Sequence, residues 1–308
     1  MSALEGIETG YEERYDFPYR ADPPYRFYMI ATVPRTGSSY LSHLLWQSGC
    51  LGAPLEYLNF LTEGPARFAT ADPREQAVLW QSMLHLRTSP NGVFGVKCFS
   101  LQLRELQQRN PALLREVFST MLLRGTDTRV VRLKRRDTVA HAISYARSAL
   151  SGIWRKEQER AGAAVVDYSA EAVEQARTYL EQQEGDWDLL FNELSIEPLT
   201  LWYEDVADQP EGAVQRVADF VGAELDRAAS VMIPPVEKQA EADSRLLPTP
   251  STRRLPSKSE ENAVYHPPQW GLLFCLHNKS YFEPCSACRR DKKRAKAEYE
   301  AFLKRYSL

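Results

Sequence analysis

A chain of 308 residues, 44% hydrophobic and 26% charged with a formal net charge of −3, has ordinary globular composition and enough length for one large domain or two modest ones. No segment approaches the roughly 18 consecutive apolar residues of a membrane span, and the N-terminus lacks the basic-then-apolar order of a secretory signal, so no membrane partner and a cytoplasmic location are expected. Five cysteines, an odd number with Cys50 and Cys98 isolated, argue against the disulfide framework of a secreted domain and for reduced thiols.

Residues 1–24 read as an acidic, aromatic N-terminal arm, and 25–245 as the core. The core opens with FYMIATV (27–33), an apolar run of strand formers. A Pro-Arg-Thr-Gly turn follows, then Leu41, Leu44 and Leu45 at helical spacing, with Gly49 as stop. VFGVKCF (93–99), RVVRLK (129–134) and PLTLWY (198–203) read as three further strands. Helices are expected from about Thr138 to Arg160, over 169–194 with Ser169 as N-cap, and over 211–224 with Gly222 as stop. Strands separated by helices imply right-handed crossovers and a three-layer α/β/α fold around a central parallel sheet. From 246 onward, PTPSTRRLPSK breaks regular structure. A compact irregular stretch and a basic helix carrying Tyr299, Phe302 and Leu303 on one side complete a C-terminal extension over 246–308.

A loop that leads from a strand into a helix N-terminus aims backbone N–H groups and the positive end of a dipole at one point, which suits a phosphate or sulfate group. The nucleoside triphosphate version, GxxxxGK[ST], needs a lysine that is absent here. The turn offers instead Arg35, Thr36, Ser38 and Ser39 around Gly37: one fixed cation and three hydroxyls, a set for a smaller anion held without metal. By themselves these residues equally fit a capped strand–helix turn. At the end of the third strand stand Arg135 and Arg136, with Ser144 about two turns beyond Asp137. They converge on a second anion if the helix packs back, and are solvated charges otherwise. GAPLEYLN (52–59) contains a single acid, Glu56, which in isolation reads as surface.

Taken in order, RTGSS, the Glu56 loop, GVFGVKCF, RRDTVAHAIS and LWYEDV resemble the sulfotransferases, and more narrowly the bacterial family that includes trehalose 2-sulfotransferase. The resemblance runs from about Tyr28 to Glu224. It implies a core related to the P-loop kinases and transfer of a sulfo group from 3′-phosphoadenosine 5′-phosphosulfate (PAPS) to a hydroxyl of a carbohydrate or small-molecule acceptor. By carry-over, Arg35, Thr36, Gly37, Ser38 and Ser39 cradle the 5′-phosphosulfate. Arg136 and Ser144 meet the 3′-phosphate, with Arg135 as neighbouring alternative. Glu56 matches the family's general base, and Lys97 a lysine that stabilises the bridging oxygen or orients the acceptor. Tyr203 and Glu204 match a segment taken to be structural. The late loop that covers the adenosine offers Arg245, Arg253 and Arg254 without a clear assignment. The loops expected over 57–90 and 148–168 are left to shape the acceptor pocket, and a homodimer is expected by resemblance.

Cys275, His277, Cys285 and Cys288 place four soft ligands in 14 positions. That set suits a tetrahedral structural zinc, with buried free thiols as the alternative. His43 and His141 lie on core helices, where packing is the commoner role. Residues 289–308 carry eight Lys or Arg against three acids, which raises a zinc-containing nucleic-acid-binding protein as a competing class. The acidic balance of the rest favours a solvated face and no nucleic-acid partner. A kinase-like P-loop enzyme is the remaining alternative, weakened by the missing lysine.

Overall fold

The strand formers between Arg26 and Thr32 make β1 (Arg26–Thr32), one of the two inner strands of a four-stranded sheet. The computed structural model describes residues 8–59, 73–154 and 169–234, and its sheet has the order β2 (Val93–Phe99), β1, β3 (Val130–Lys134), β4 (Leu199–Trp202). All three pairings are parallel. A parallel sheet is covered on both faces, which is why its strands read as near-continuous apolar runs. Met29 and Ala31 face one side together with Phe94, Val96 and Val130. There they meet α3 (Ser100–Arg109), α4 (Pro111–Val117) and a long helix over Ala170–Leu194. Tyr28, Ile30, Val131 and Leu133 face the other side, against Leu41 and Leu45 of α1 (Ser38–Gln47) and Val217 and Val221 of a late helix over Pro210–Val221. The expected three-layer α/β/α arrangement is therefore present.

Local chemistry explains several boundaries. Gly95, opposite Tyr28 in the ladder, is a strand-interior glycine because a Cβ there would stand 2.5 Å from the Tyr28 ring. Tyr28 in turn donates its buried hydroxyl to the Leu51 carbonyl at 2.7 Å. After α2 (Pro73–Leu86), α3 and α4, helix α5 covers Thr138–Ser151. It stops short of the expected Arg160, because Gly152 adopts the left-handed conformation (φ 71°) that closes a helix. Helix α6 is Ala170–Leu194, with the Ser169 side chain accepting from Ala172 N–H as its N-cap. The fourth strand ends at Trp202, one residue early, since Tyr203 opens the short α7 (Tyr203–Asp208). Helix α8 is Pro210–Val221, capped by Gly222. Part of the 57–90 stretch, expected as loop, is thus helix α2.

The connection after β1 leads to β2 on one side of it, and the connection after β3 leads to β4 on the other. The crevice at the carboxyl ends of β1 and β3 is consequently a topological switch point, where parallel α/β sheets bind ligands. The last residue of β1 is tied from above: Trp187 of α6, itself buried, donates its indole N–H to the Thr32 carbonyl at 2.8 Å. Trp187→Phe keeps a ring in the core and removes the donor. It is expected to lower stability by roughly 1–3 kcal/mol, read as a shifted denaturant midpoint at unchanged slope.

Candidate active site

The turn between β1 and α1 is held in a conformation its residue types resist. Arg35 has φ 68°, a left-handed backbone on a non-glycine residue, which persists only when its surroundings enforce it. Gly37 follows at φ 82°. A Cβ on Gly37 would lie 2.2 Å from Tyr203 Cδ2, so the glycine makes room for that ring. Thr36 is fully buried and its hydroxyl donates inward to the Val33 carbonyl at 2.9 Å. It shapes the turn instead of facing out of it. Ser38 begins α1 and is buried, while Ser39 is exposed.

Ser39 is the first of two links to the carboxylate. Lys97, near the end of β2 and only 3% exposed, donates to Ser39 Oγ at 3.1 Å and pairs with Glu56 Oε1 at 2.8 Å. The second Glu56 oxygen accepts from Asn59 Nδ2 at 3.2 Å and Gln102 Nε2 at 3.5 Å. The Glu56 loop lies along the strand, with Lys97 N–H donating to the Leu55 carbonyl at 3.0 Å. The Glu56 side chain keeps 18% of its surface open. Anchoring by Asn59 and Gln102 was not foreseen; the only trace in the sequence is the three-residue spacing of Glu56 and Asn59 across a turn.

On the other flank, Arg35 Nε donates to Ser144 Oγ at 3.1 Å, and its Nη1 to the Trp154 carbonyl at 2.9 Å. The two residues expected at the donor's opposite ends are thus joined directly. Arg136 does not join Ser144. Its guanidinium forks onto Asp205 at 2.5 and 2.8 Å over the Trp202 ring, and its backbone N–H donates to Glu204. The neighbouring Arg135 turns inward instead: Nη1 donates to the Arg35 carbonyl at 3.3 Å and the guanidinium lies over the Tyr203 ring. Arg135 Nε is buried and has no hydrogen-bond partner among the described residues. Glu204 accepts from the backbone N–H groups of Arg136 and Asp137, and the Tyr203 ring lies over Gly37.

His141 braces the turn from α5, its Nε2 lying 2.7 Å from the Pro34 carbonyl. A carbonyl only accepts, so Nε2 carries the proton. His43 similarly meets the Ser39 carbonyl at 2.7 Å through Nδ1. Among the described residues no group of three or more His, Cys, Asp or Glu could hold a metal, and no helix is long and apolar enough to cross a membrane. The proposed ligands Cys275, His277, Cys285 and Cys288, the arginines 245, 253 and 254, and the basic C-terminal helix lie outside the described residues.

Fold and site together define an α/β protein with a strained strand–helix turn and an ion-paired carboxylate at the switch point of a parallel sheet. Residues 27–246 match the model of the Stf0 sulphotransferase family, and the chain belongs to that family. The protein is thus a sulfotransferase, as the resemblance implied, and the kinase-like alternative falls. Among its relatives, the trehalose 2-sulfotransferase of Mycobacterium tuberculosis (strain Erdman) is 27% identical over 250 residues, covering 70% of this chain and 90% of that protein. The trehalose 2-sulfotransferase of Mycolicibacterium smegmatis is 25% identical over 248 residues, covering 70% and 91%. The sulfotransferase domain of the Synechococcus PCC 7002 olefin synthase overlaps with a TM-score of 0.36 at 14% identity, covering 69% of this chain and 80% of that one.

Burial, aided by the Arg135 and Arg35 charges, pulls the His141 pKa from an ordinary 6.5 down to about 4, against the opposing pull of the Pro34 carbonyl and Glu204. The unfolded chain therefore binds this proton first as pH falls. Stability contributed by neutral His141 is complete above pH 6.5 and is lost as pH drops toward about 4. The loss amounts to ~3 kcal/mol for this group. His141→Gln keeps an N–H donor and is expected to flatten that part of the stability curve, measured by denaturant unfolding across the same pH window.

Proposed function

We propose that the protein transfers the sulfo group of PAPS to a hydroxyl of a carbohydrate or small-molecule acceptor, with Glu56 as general base. The observation that carries this reading is the Lys97 ammonium, which touches Glu56 at 2.8 Å and Ser39 of the anion turn at 3.1 Å. One side chain thereby couples a carboxylate to the place where a donor anion fits. The relatives named as trehalose 2-sulfotransferases support a sugar hydroxyl as the acceptor class.

The residues present suit such a donor. The α1 N-terminus, Arg35 and Ser39 offer amides, a guanidinium and a hydroxyl to the phosphosulfate. For the 3′-phosphate we assign Arg135 in place of Arg136, together with Ser144. Arg135 has a buried Nε without a partner among the described residues, beside the turn, whereas Arg136 is engaged by Asp205.

Sulfo transfer, like phosphoryl transfer, is taken as in-line through a loose transition state, so positioning and electrostatics carry most of the rate. Glu56 takes the acceptor proton as the new O–S bond forms. The bond from sulfur to the bridging oxygen breaks, and Arg35 and the turn amides stabilise the charge that grows on the departing phosphate. Lys97 orients Glu56 and neutralises charge near the bridging oxygen.

Glu56→Gln is expected to cut kcat by about 10²- to 10⁴-fold while leaving the affinity for adenosine 3′,5′-bisphosphate nearly unchanged; a variant that still turns over removes Glu56 from the mechanism. In titrations with the same nucleotide, Arg135→Ala is expected to weaken binding about 10- to 100-fold, and Arg136→Ala far less. The reverse order would restore Arg136 to the 3′-phosphate.

A further inference from the structure

The segment that precedes the family match reaches the site. Residues 8–26 lie before the matched stretch of 27–246, yet the beginning of this arm is fixed against the core at several points. Arg87, at the start of the connection from α2 into β2, is completely buried. Its guanidinium donates to the carbonyls of Gly10 at 2.8 Å and Glu12 at 3.3 Å, and it pairs with Asp16 at 2.9 Å. A buried cation of this kind is stable only with its partners in place. Phe17 adds a backbone hydrogen bond to the Leu86 carbonyl and a buried ring. Tyr15 meets Trp46 of α1 edge-on.

Between these anchors stands Tyr11. Its hydroxyl oxygen accepts from the backbone N–H of Glu56 at 3.1 Å, and its ring packs edge-on against Tyr57 at 6.0 Å between centroids. The Glu56 side chain is thus fixed by Lys97, Asn59 and Gln102, while its main chain is fixed by Tyr11. We infer that Tyr11 is a positioning residue for the reaction: the N-terminal arm sets the backbone of the Glu56 loop, and through it the direction in which the carboxylate faces an acceptor hydroxyl. Small displacements of a reacting group cost rate more than binding, because attack depends on near-contact geometry. The inference rests on Glu56 being the base.

Removing the whole arm would strand the Arg87 charge and risks the fold, so the test uses Tyr11→Phe, which keeps the ring on Tyr57 and removes only the hydroxyl. The expected result is a loss of kcat of about 5- to 10-fold, the size of one lost hydrogen bond. The donor KM and the affinity for adenosine 3′,5′-bisphosphate should stay unchanged, and the melting temperature should fall by no more than a few degrees. Full kcat in Tyr11→Phe, with Glu56→Gln inactive, overturns the positioning role and leaves the base intact. A loss of kcat that comes with an equal loss of donor affinity and a larger fall in melting temperature also overturns it, since that pattern marks a general structural role. If Glu56→Gln itself keeps its activity, the base assignment fails first and this inference falls with it.

Discussion

A single buried ammonium organises the site. Lys97 lies near the carboxyl end of β2 with almost none of its surface in water, and a charge so placed costs several kcal/mol unless it is paired. Its partners come from two different segments, the Glu56 loop and the start of α1. The same residue also donates its backbone N–H to the Leu55 carbonyl, which pins the Glu56 loop to β2 at that point. Main chain and side chain of one residue therefore fix the carboxylate relative to the turn after β1. Neither can move without leaving the charge unmatched.

The turn itself is enforced from all sides by elements that the sheet order brings together. Arg35 in a left-handed conformation is a strained arrangement. Arg135 at the end of β3 holds its carbonyl, Ser144 on α5 receives its Nε, and His141 on the same helix grips the preceding Pro34 carbonyl. Tyr203, just beyond β4, fills the space over Gly37. Contributions from β3, α5 and the end of β4 meet here because β3 lies next to β1 and β4 next to β3. In the proposed transfer, donors preorganised in this way would stabilise developing charge without reorganising.

Much of this was legible before any coordinates. Apolar runs bounded by turn residues place the four strands, and the strand–turn–helix at 27–45 is present as read. The sidedness of Arg135 and Arg136 was not legible. Adjacent residues leaving a strand point opposite ways, and which one faces the turn is decided by Asp205, 69 positions along the chain, whose carboxylate captures Arg136. Thr36 reads as a ligand by type, yet its hydroxyl closes on the main chain, because a threonine beside a sharp turn finds its own carbonyls first. The early end of α5 escaped for a related reason. Helical periodicity continues past Gly152, but the left-handed glycine stops the chain there. In each case short-range pattern gave the residue type, and a long-range partner or a single dihedral gave its direction.

The missing loop lysine can now be understood as a division of labour between two cations. An ammonium is compact and strongly hydrated, and suits a tight pair with one carboxylate; a guanidinium is planar, less hydrated, and carries several donors in fixed directions. In this site the ammonium has moved to the neighbouring strand, where Lys97 serves Glu56. The turn carries a guanidinium whose separate nitrogens reach Ser144 and the Trp154 carbonyl. A lysine at 35 would have to choose one of those partners, and its flexible stem would relax the left-handed backbone that the guanidinium contacts help to hold. The loop without a lysine is therefore a rigid strand–helix turn, its charge fixed in direction by Ser144 and the Trp154 carbonyl.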